Sequence, residues 1–325
     1  PLVVVTAPGP GSGKMAVCLS QLYHEYKRGV QAGYAKFETF PIWNLPLNHP
    51  VNLAYEAATA DLNDVNMIDP FHLQAYGVTT VNYNRDVEIF PVLAAMFEKI
   101  TGACPYKSPT DMGVNMAGNC ITDDEAVCAA ARQEILRRYY SALCERRQGK
   151  CEDDVVYKLE LLLQQAKIDP SIRPVIAAAQ AVAGETGMPA GAIELPGGEV
   201  VTGKTTALMG ASSATLLNAL KALSGIPHEK HLISPQAIAP IQEVKVDHLG
   251  SLNPRLHSDE ILIALAISAA TDPLARQALD HLSELRGCEA HSTVILTSAD
   301  ASTYHKLGLR LTCDPQYQTN KLFHG

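Results

Sequence analysis

The chain has 325 residues, enough for two or three domains, and its 47% hydrophobic and 18% charged residues are typical of a globular protein. Its formal net charge of −8 argues against nucleic acid as a partner, because phosphate backbones bind basic surfaces. No apolar run reaches membrane-spanning length, so we expect no membrane partner, and eight scattered cysteines without a C-x-x-C pair favour reduced thiols in a cytoplasmic protein.

The first segment predicts a strand at residues 2–5, then a glycine-rich loop, then a helix at 14–28. Glycines let backbone amides approach a phosphate closely, and a helix N-terminus adds free N–H groups and partial positive charge. This order of elements therefore predicts a phosphate site, which we expect to bind a nucleotide. The residues of this glycine loop that would bind the phosphate are Gly9, Gly11, Ser12, Gly13 and Lys14.

The glycine loop departs from the two known phosphate-binding patterns. In G-x-x-x-x-G-K-[ST], Pro8 replaces the first glycine and Met15 replaces the hydroxyl residue that normally holds Mg²⁺. In G-x-G-x-x-G, Lys14 stands at the third glycine position, although Glu38 lies where a ribose-binding acid is expected. An ordinary tight turn therefore stays an alternative to the phosphate site.

A second segment, residues 198–205, matches G-x-x-x-x-G-K-[ST] letter for letter. Its four central residues indicate a strand, and Pro196 with Gly197 is typical of the turn in a hairpin. No helix pattern begins at Lys204. We therefore interpret this match as chance.

Two predicted strands follow the first helix, at residues 33–40 and 79–83. Between them, Asp69 and Pro70 are typical of the first residues of a helix, and Gly77 of the residue that ends one. Open α/β sheets place their ligand sites at strand ends. The polar residues after the second strand are therefore predicted to bind the substrate, and they are Asn82, Asn84, Arg85 and Asp86.

Within this group, Arg85 would stabilise negative charge on a transferred group and Asp86 would hold a metal ion. The alternative is that the two residues pair with each other and cap the next helix. A second group lies in the irregular segment 104–119, where mixed donors and acceptors suit a polar substrate, although an ordinary surface loop is equally compatible. Its candidate residues are Lys107, Ser108, Thr110, Asp111 and Asn115.

The rest of the chain predicts a helical section and then a second α/β unit. Thr122 and Glu125 form a capping box for a long helix that reaches Arg147, and strands alternate with helices after Gly187. The further predicted strands are at 192–195, 199–202, 231–234, 292–297 and 309–313, and the further helices are at 51–60, 152–167, 171–184, 213–223, 258–270, 273–285 and 299–307.

Several long runs of the sequence resemble one bacterial family, the domain of unknown function 1846 (DUF1846, or UPF0371). These runs are at 7–14, 19–26, 33–41, 61–71, 81–92, 106–115, 232–235, 287–292 and 313–315. The resemblance implies a cytoplasmic protein with a glycine-rich loop, a further α/β segment before Pro1, and an occasional description as an ATP-dependent enzyme. It implies no established activity and no catalytic residues. It also suggests a deaminase-like topology for the C-terminal part, but the H-x-E and P-C-x-x-C zinc signature is absent.

Taken together, these patterns predict an α/β fold in three parts. The first, at 1–121, is a P-loop- or Rossmann-like three-layer unit that binds phosphate. A helical section at 122–186 and a second three-layer α/β unit at 187–325 complete the chain.

The predicted function is that of an enzyme that binds ATP or another nucleotide, with Mg²⁺, and acts on a small polar metabolite by phosphoryl transfer or ATP-driven ligation. Lys14, Arg85, Asp86 and Lys107 would be catalytic, and Glu38 or Asp86 would be the acid nearest the metal ion. Two alternatives stay open: an enzyme for a dinucleotide or phosphorylated metabolite, with Glu38 on a ribose, and a non-catalytic regulatory or assembly protein that binds nucleotide. The expected partner is a small phosphate-bearing ligand, no residues are assigned to a resident metal site, and homo-oligomerisation stays open.

Overall fold

A computed structural model of the chain describes residues 2–9 and 11–318, and these residues form a mixed α/β protein. They divide into two compact units. Residues 1–135 and 164–166 make the first unit, and residues 136–163 and 167–325 make the second. No helix among the described residues is long and apolar enough to cross a membrane.

The first unit contains short strands and longer helices. In chain order they are α1 (Lys14–Lys27), β1 (Lys36–Phe37), α2 (Pro50–Ala58), β2 (Asn66–Ile68), α3 (Pro70–Tyr76), β3 (Val81–Tyr83), α4 (Asn84–Thr101), β4 (Gly113–Val114) and the start of α5 (Asp124–Arg147). Strands β1 and β4 pair in parallel, and β2 and β3 pair in antiparallel, so the unit has two sheets of two strands each among its described residues.

The predicted strand at 2–5 is not formed, and the side chain of Leu2 is 89% exposed. An apolar run becomes a strand only where a neighbouring strand completes its backbone hydrogen bonds, and residues 2–9 have none in the described part of the chain. The mixed α/β class is confirmed for this unit. The P-loop- or Rossmann-like three-layer arrangement is not confirmed.

The core of the first unit lies between α1 and α4. Leu22 of α1 packs with Phe90, Leu93 and Phe97 of α4, and Met112 closes the cluster. These residues recur at helical spacing, so each helix buries one face. The two helices are thereby held against the loops and short strands that carry the site.

Helix α3 begins and ends where its local sequence predicts. The Asp69 carboxylate accepts hydrogen bonds from the amides of Phe71 and His72, both at 3.0 Å, and Pro70 occupies the first turn. Gly77 ends the helix with a φ of 67°, a conformation that glycine adopts without strain. The prediction for this helix is confirmed because both signals act over a few residues.

The second unit alternates strands and helices. Its elements after α5 are α6 (Asp153–Gln165), α7 (Pro174–Thr186), β5 (Ala190–Glu194), β6 (Val200–Lys204), α8 (Ala211–Leu223), α9 (Pro235–Glu243), α10 (Ser258–Ser268), α11 (Pro273–Asp280), β7 (Glu289–Ser292), α12 (Ser298–Leu307) and β8 (Arg310–Cys313). The four strands form one sheet in the order β6–β5–β7–β8.

Strand directions in this sheet bring three carboxyl ends to one edge. Strand β5 is antiparallel to both β6 and β7, and β8 is parallel to β7, so β6, β7 and β8 run the same way. Helices cover both faces of the sheet, because Ile193 packs with α8 and α10 whereas its neighbour Ala192 packs with α7. This is the edge where α/β sheets place ligands.

The hairpin of β5 and β6 confirms that the second match to the phosphate pattern is chance. Gly197 and Gly198 make its turn with φ values of 107° and 89°, and Lys204 is the last residue of a strand. Gly191 and Gly203 face each other across this hairpin. A Cβ on Gly203 would stand 2.4 Å from the backbone nitrogen of Thr215, and a Cβ on Gly191 would stand 2.8 Å from the Thr215 hydroxyl. The two glycines therefore form a notch that admits Thr215 of α8.

Two predicted strands of the second unit differ from the structure. Residues 231–234 form no strand, because Ser234 caps α9 by accepting a hydrogen bond from the Ala237 amide at 3.2 Å. The strand predicted at 292–297 lies earlier in the chain, as β7. The second half of the predicted strand forms no strand in the structure, and Thr297 at its end caps α12. In both places a residue that caps the following helix replaces part of a strand that hydropathy alone predicts.

Candidate functional site

Four charged or polar side chains meet at one point of the first unit. The Lys36 Nζ atom lies 2.5 Å from Glu38 Oε1 and 2.5 Å from Asp86 Oδ2, and it also donates to the Tyr83 hydroxyl. We call Lys36, Glu38, Tyr83 and Asp86 the Lys36 cluster. It holds one cation, two carboxyl groups and one phenol within hydrogen-bond reach.

Backbone pairing brings these residues together from distant parts of the chain. Lys36 lies in β1, and the Glu38 amide extends the pairing with β4 by donating to the Val114 carbonyl at 2.9 Å. Tyr83 is the last residue of β3, and Asp86 lies in the first turn of α4, where a helix N-terminus favours a carboxylate. The cluster is therefore fixed by secondary structure on three sides.

The electrostatics of the cluster hold a proton near neutral pH. Burial raises the pKa of Glu38 to about 7, the charge of Lys36 opposes this shift and that of Asp86 adds to it. The Lys36 pKa is raised, because the two acids outweigh the opposing effect of burial. Burial also raises the pKa of Tyr83. At neutral pH the lysine is therefore a cation, and Glu38 exchanges its proton with solvent or ligand.

This arrangement suits general acid–base chemistry. An acid with a pKa near 7 has both protonation states available, which is the condition for efficient proton transfer in both directions. Lys36 stays an ammonium group, so it can hold an anion but cannot act as an amine nucleophile. Burial raises the pKa of Tyr55 to about 12, and the charges of Asp64 and Glu38 add to this shift. Tyr55 is therefore a neutral hydrogen-bond donor.

Several buried polar side-chain atoms of the first unit have no hydrogen-bond partner among the described residues, and two of these atoms belong to residues of β2 and β3. Asn82 immediately precedes Tyr83, and Asn66 pairs with Tyr83 across the β2–β3 ladder. Unsatisfied buried polar groups are rare and each costs about 1–3 kcal/mol, so a group of them marks a place for a ligand or ordered water. These atoms are Trp43 Nε1, Asn66 Oδ1, Asn82 Nδ2 and Asn115 Oδ1.

The glycine loop is described by Gly9 and residues 11–14, since Pro10 lies outside the described residues. Lys14 Nζ donates to the Gly9 carbonyl at 2.8 Å, and the Ser12 hydroxyl donates to the same oxygen at 2.5 Å. Gly11 and Gly13 have φ values of 71° and 84°, which only glycine adopts readily. A phosphate ligand would therefore have to draw Lys14 away from the loop's own carbonyl.

Arg85 points to a different partner from the one that sequence predicts. Its Nε atom lies 2.7 Å from Asp64 Oδ1, and its guanidinium also donates to the Leu62 carbonyl. The alternative pairing of Arg85 with Asp86 is therefore wrong. Asn84 binds the same segment, because its Oδ1 accepts from the Val65 amide at 3.1 Å. Both residues fasten the start of α4 to residues 62–65.

The candidate residues at 107–111 dock onto the N-terminus of α3. The Thr110 hydroxyl donates to the Asp69 carboxylate at 2.6 Å, and the Ser108 hydroxyl lies 2.9 Å from His72 Nδ1. Asp111 accepts from the Lys107 amide at 2.9 Å, which closes the turn.

The remaining candidates also make local contacts. The Lys107 ammonium lies 5.4 Å from the ring centre of Tyr76, and Asn115 donates to the Pro41 carbonyl at 2.7 Å. No described contact joins Lys14, Arg85 or Lys107 to the Lys36 cluster. Of the predicted site residues, the structure brings together only Glu38 and Asp86 there.

Sequence analysis missed Lys36 and Tyr83. One signal for Lys36 was available, because residues i and i+2 of a strand point to the same side, so Lys36 and Glu38 share one face. Tyr83 and Asp86 reach that face only through pairing between strands that lie far apart in the chain.

His49, Asp124 and Cys128 form the one group of possible metal ligands found among the described residues. His49 Nε2 lies 3.0 Å from Asp124 Oδ1 and 3.5 Å from Cys128 Sγ, while His49 Nδ1 accepts from the Val51 amide at 3.3 Å. A metal-binding histidine normally donates its second ring N–H, whereas here the second nitrogen is an acceptor. Burial and Asp124 also raise the pKa of the Cys128 thiol. We therefore interpret the group as a cap on α2.

Comparison with known proteins finds relatives along the whole chain. Residues 1–167 match the family described as "Domain of unknown function DUF1846, N-terminal", and residues 171–323 match its C-terminal counterpart. The UPF0371 proteins of Streptococcus thermophilus strain ATCC BAA-250 and Streptococcus pneumoniae strain JJA are each 59% identical over 322 residues, or 99% of this chain. The chain spans 65% of the length of these relatives.

Proposed function

The chain belongs to the DUF1846 family, and from that premise we propose that it is an enzyme with its reaction centre at the Lys36 cluster. The substrate would be a small polar, anionic metabolite. The glycine loop would bind the phosphates of ATP or another nucleotide, and the reaction would be phosphoryl transfer or ATP-driven ligation.

The observation that carries the proposal is the geometry of the Lys36 cluster, in which one ammonium group lies 2.5 Å from an oxygen of Glu38 and 2.5 Å from an oxygen of Asp86. Two acids share one ammonium group, and the pKa of Glu38 is raised to about 7. Glu38 would take the proton from the attacking group of the metabolite as it reacts. Lys36 would hold the anionic part of the metabolite, and the Oδ1 atom of Asn66, which lies on the same face as Tyr83, would orient one of its polar groups.

The residues present suit the phosphate of a nucleotide better than they suit a Mg²⁺ ion. The left-handed glycines of the loop and the helix behind them suit a phosphate. A Mg²⁺ ion fits less well, because Met15 replaces the hydroxyl ligand and the Lys36 ammonium already lies between Glu38 and Asp86. We derive no step through a metal ion.

The first test measures binding by calorimetry against ATP, GTP, NAD and sugar phosphates. We expect Lys14→Ala to weaken the ligand roughly 10- to 100-fold, because it loses a charge-assisted hydrogen bond. Lys27→Ala is the matched control, since Lys27 lies at the other end of α1 against the Tyr23 ring. Equal affinity of the Lys14 variant and the parent for every compound would remove the glycine loop from the proposal.

A second measurement separates an enzyme from a sensor. We expect Glu38→Gln to keep the nucleotide affinity of the parent and to lose turnover by at least about 100-fold, the usual contribution of a general base. Turnover that survives in this variant would overturn the role of Glu38. Binding without any turnover in the parent would favour the regulatory alternative, and loss of NAD binding in the variant would favour the ribose contact.

A further inference from the structure

The second unit has a cleft at the sheet edge where β6 and β7 end. Thr205 directly follows β6, and residues 294–297 follow β7. The N-terminus of α8 and the segment 255–257 complete the wall. The cleft has a cavity volume of about 30 Å³, more than one water molecule needs, so it suits a single compact polar group and not a whole metabolite.

The start of α8 offers to this cleft amides that have no partner within the described part of the chain. The helix has 13 residues, no side chain caps it, and its first turn holds no acidic residue. Its first i to i−4 hydrogen bond runs from the Ala214 amide to the Gly210 carbonyl, so the amides of residues 211–213 precede the hydrogen-bonded ladder. Such amides carry the partial positive charge of the helix terminus.

An independent observation points to a ligand at the same place. Thr205 is only 3% exposed and lines the cleft, and its hydroxyl has no hydrogen-bond partner among the residues that the structure describes. Arg255 also lines the cleft, with its Nε atom fixed by the Thr206 carbonyl at 2.8 Å. A buried hydroxyl and a guanidinium are thus added to the amides of α8.

One carboxylate lies in the wall, and its charge is largely compensated. Asp300 accepts hydrogen bonds from the hydroxyls of Ser212, Ser258 and Thr297 and from the Ser258 amide, at 2.7 to 2.9 Å. His257 Nδ1 lies 2.9 Å from Asp300 Oδ2, so the other ring nitrogen, Nε2, points away from Asp300. The hydrogen bond to Asp300 raises the pKa of His257, so the imidazole carries positive charge more readily.

We propose that this cleft binds the phosphate group of a small phosphate monoester. The phosphate would lie on the α8 amides, the Thr205 hydroxyl, the Arg255 guanidinium and His257 Nε2. A phosphate fits these donors better than a carboxylate, because it offers three terminal oxygens to donors that approach from several directions. The site is separate from the Lys36 cluster and does not depend on the function proposed there.

The test titrates the whole chain with inorganic phosphate and with glucose 6-phosphate, followed by backbone amide NMR shifts and calorimetry. We expect the amides of residues 211–213 to shift on titration with either compound. Thr205→Val should weaken binding roughly 5- to 10-fold and Arg255→Gln roughly 10- to 100-fold, the losses of a neutral and a charge-assisted hydrogen bond. Arg276→Gln is the charge-matched control, since Arg276 forms an exposed ion pair with Asp280 on α11.

The two readouts keep the proposal testable even if one variant folds poorly. Thr205→Val removes an unsatisfied hydroxyl, so its melting temperature should equal or exceed that of the parent. Unshifted amides at 211–213 in the parent, or parental affinity in both cleft variants, would overturn the proposal. Running the titration in the Lys14→Ala background distinguishes the cleft from the glycine loop, because cleft binding should be unchanged there.

Discussion

Glu38 in the first unit and Asp300 in the second are almost equally buried, with side chains 7% and 8% exposed. Their pKa values nevertheless shift in opposite directions from the usual values. Burial and the charge of Asp86 raise the pKa of Glu38 to about 7 despite Lys36. Although burial alone would raise it, the hydrogen bonds from His257, Ser258 and Thr297 bring the pKa of Asp300 below its usual value.

The comparison teaches that the number of donors, not the depth of burial, decides what a buried acid can do. Glu38 shares one cation with a second acid, so it keeps a proton that it can exchange. Asp300 accepts hydrogen bonds at both carboxylate oxygens, so it stays ionised and holds the donating side chains in position. The first suits proton transfer, and the second suits the positioning of other residues.

The largest effect should come from removing the Asp300 carboxylate. Asp300→Ala leaves four hydrogen-bond donors and His257 without their acceptor, so we expect the free energy of unfolding to fall by about 3–5 kcal/mol. Urea unfolding measures this loss. Asp280→Ala, which breaks an exposed pair with Arg276, should change stability by less than about 1 kcal/mol. A loss below that of the control for Asp300→Ala would contradict the comparison.

A smaller effect, with a marked pH dependence, should come from removing the shared cation. Lys36→Met leaves Glu38 and Asp86 side by side without a counter-charge, so we expect a loss of about 2–4 kcal/mol at pH 8. The loss should shrink toward pH 5, where an acid of this pair is protonated. Unfolding curves at both pH values, with Lys27→Met as the control, test this. A loss independent of pH would show that the two acids do not compete for one proton.

The smallest effect should come from neutralising Glu38 alone. The Glu38 pKa is raised in the folded state from its usual 4.5 to about 7, so its contribution to stability is complete below pH 4.5 and is lost as the pH rises through 7. Glu38→Gln should therefore gain stability relative to the parent between pH 5 and pH 8. Melting temperatures across this range measure the gain. A difference between variant and parent that does not change with pH over this range would mean that Glu38 is ionised throughout.

Sequence predicted the parts of this fold that depend on neighbouring residues. The turn at Gly197 and Gly198 and the ends of α3 at Asp69 and Gly77 follow from a few adjacent side chains. The strand predicted at 2–5 is wrong because strand formation needs partners that hydropathy does not reveal.

The candidate site was predictable only in part, for the same reason. Glu38 and Asp86 stand out as polar residues at strand ends, and strand alternation places Lys36 on the face of Glu38, but nothing local indicates that Asp86 and Tyr83 join them. Arg85 likewise binds Asp64 and not its neighbour Asp86, because the register of β2 and β3 places residues 62–65 beside the start of α4. Pairing across the sheet decides each of these contacts.

The notch at Gly191 and Gly203 has a mechanical consequence. The Thr215 backbone lies where a Cβ of Gly203 would stand, and the Thr215 hydroxyl lies where a Cβ of Gly191 would stand, so α8 packs on these two paired strands too closely for a side chain at either position. The position of α8 on the sheet is therefore fixed at Thr215, and we expect adjustment around a bound molecule to occur in the connecting segments at 205–210 and 253–257. An alanine at either glycine would push α8 away from the sheet and shift its N-terminus. A packing change at the hairpin would thereby change the affinity of the cleft for its ligand.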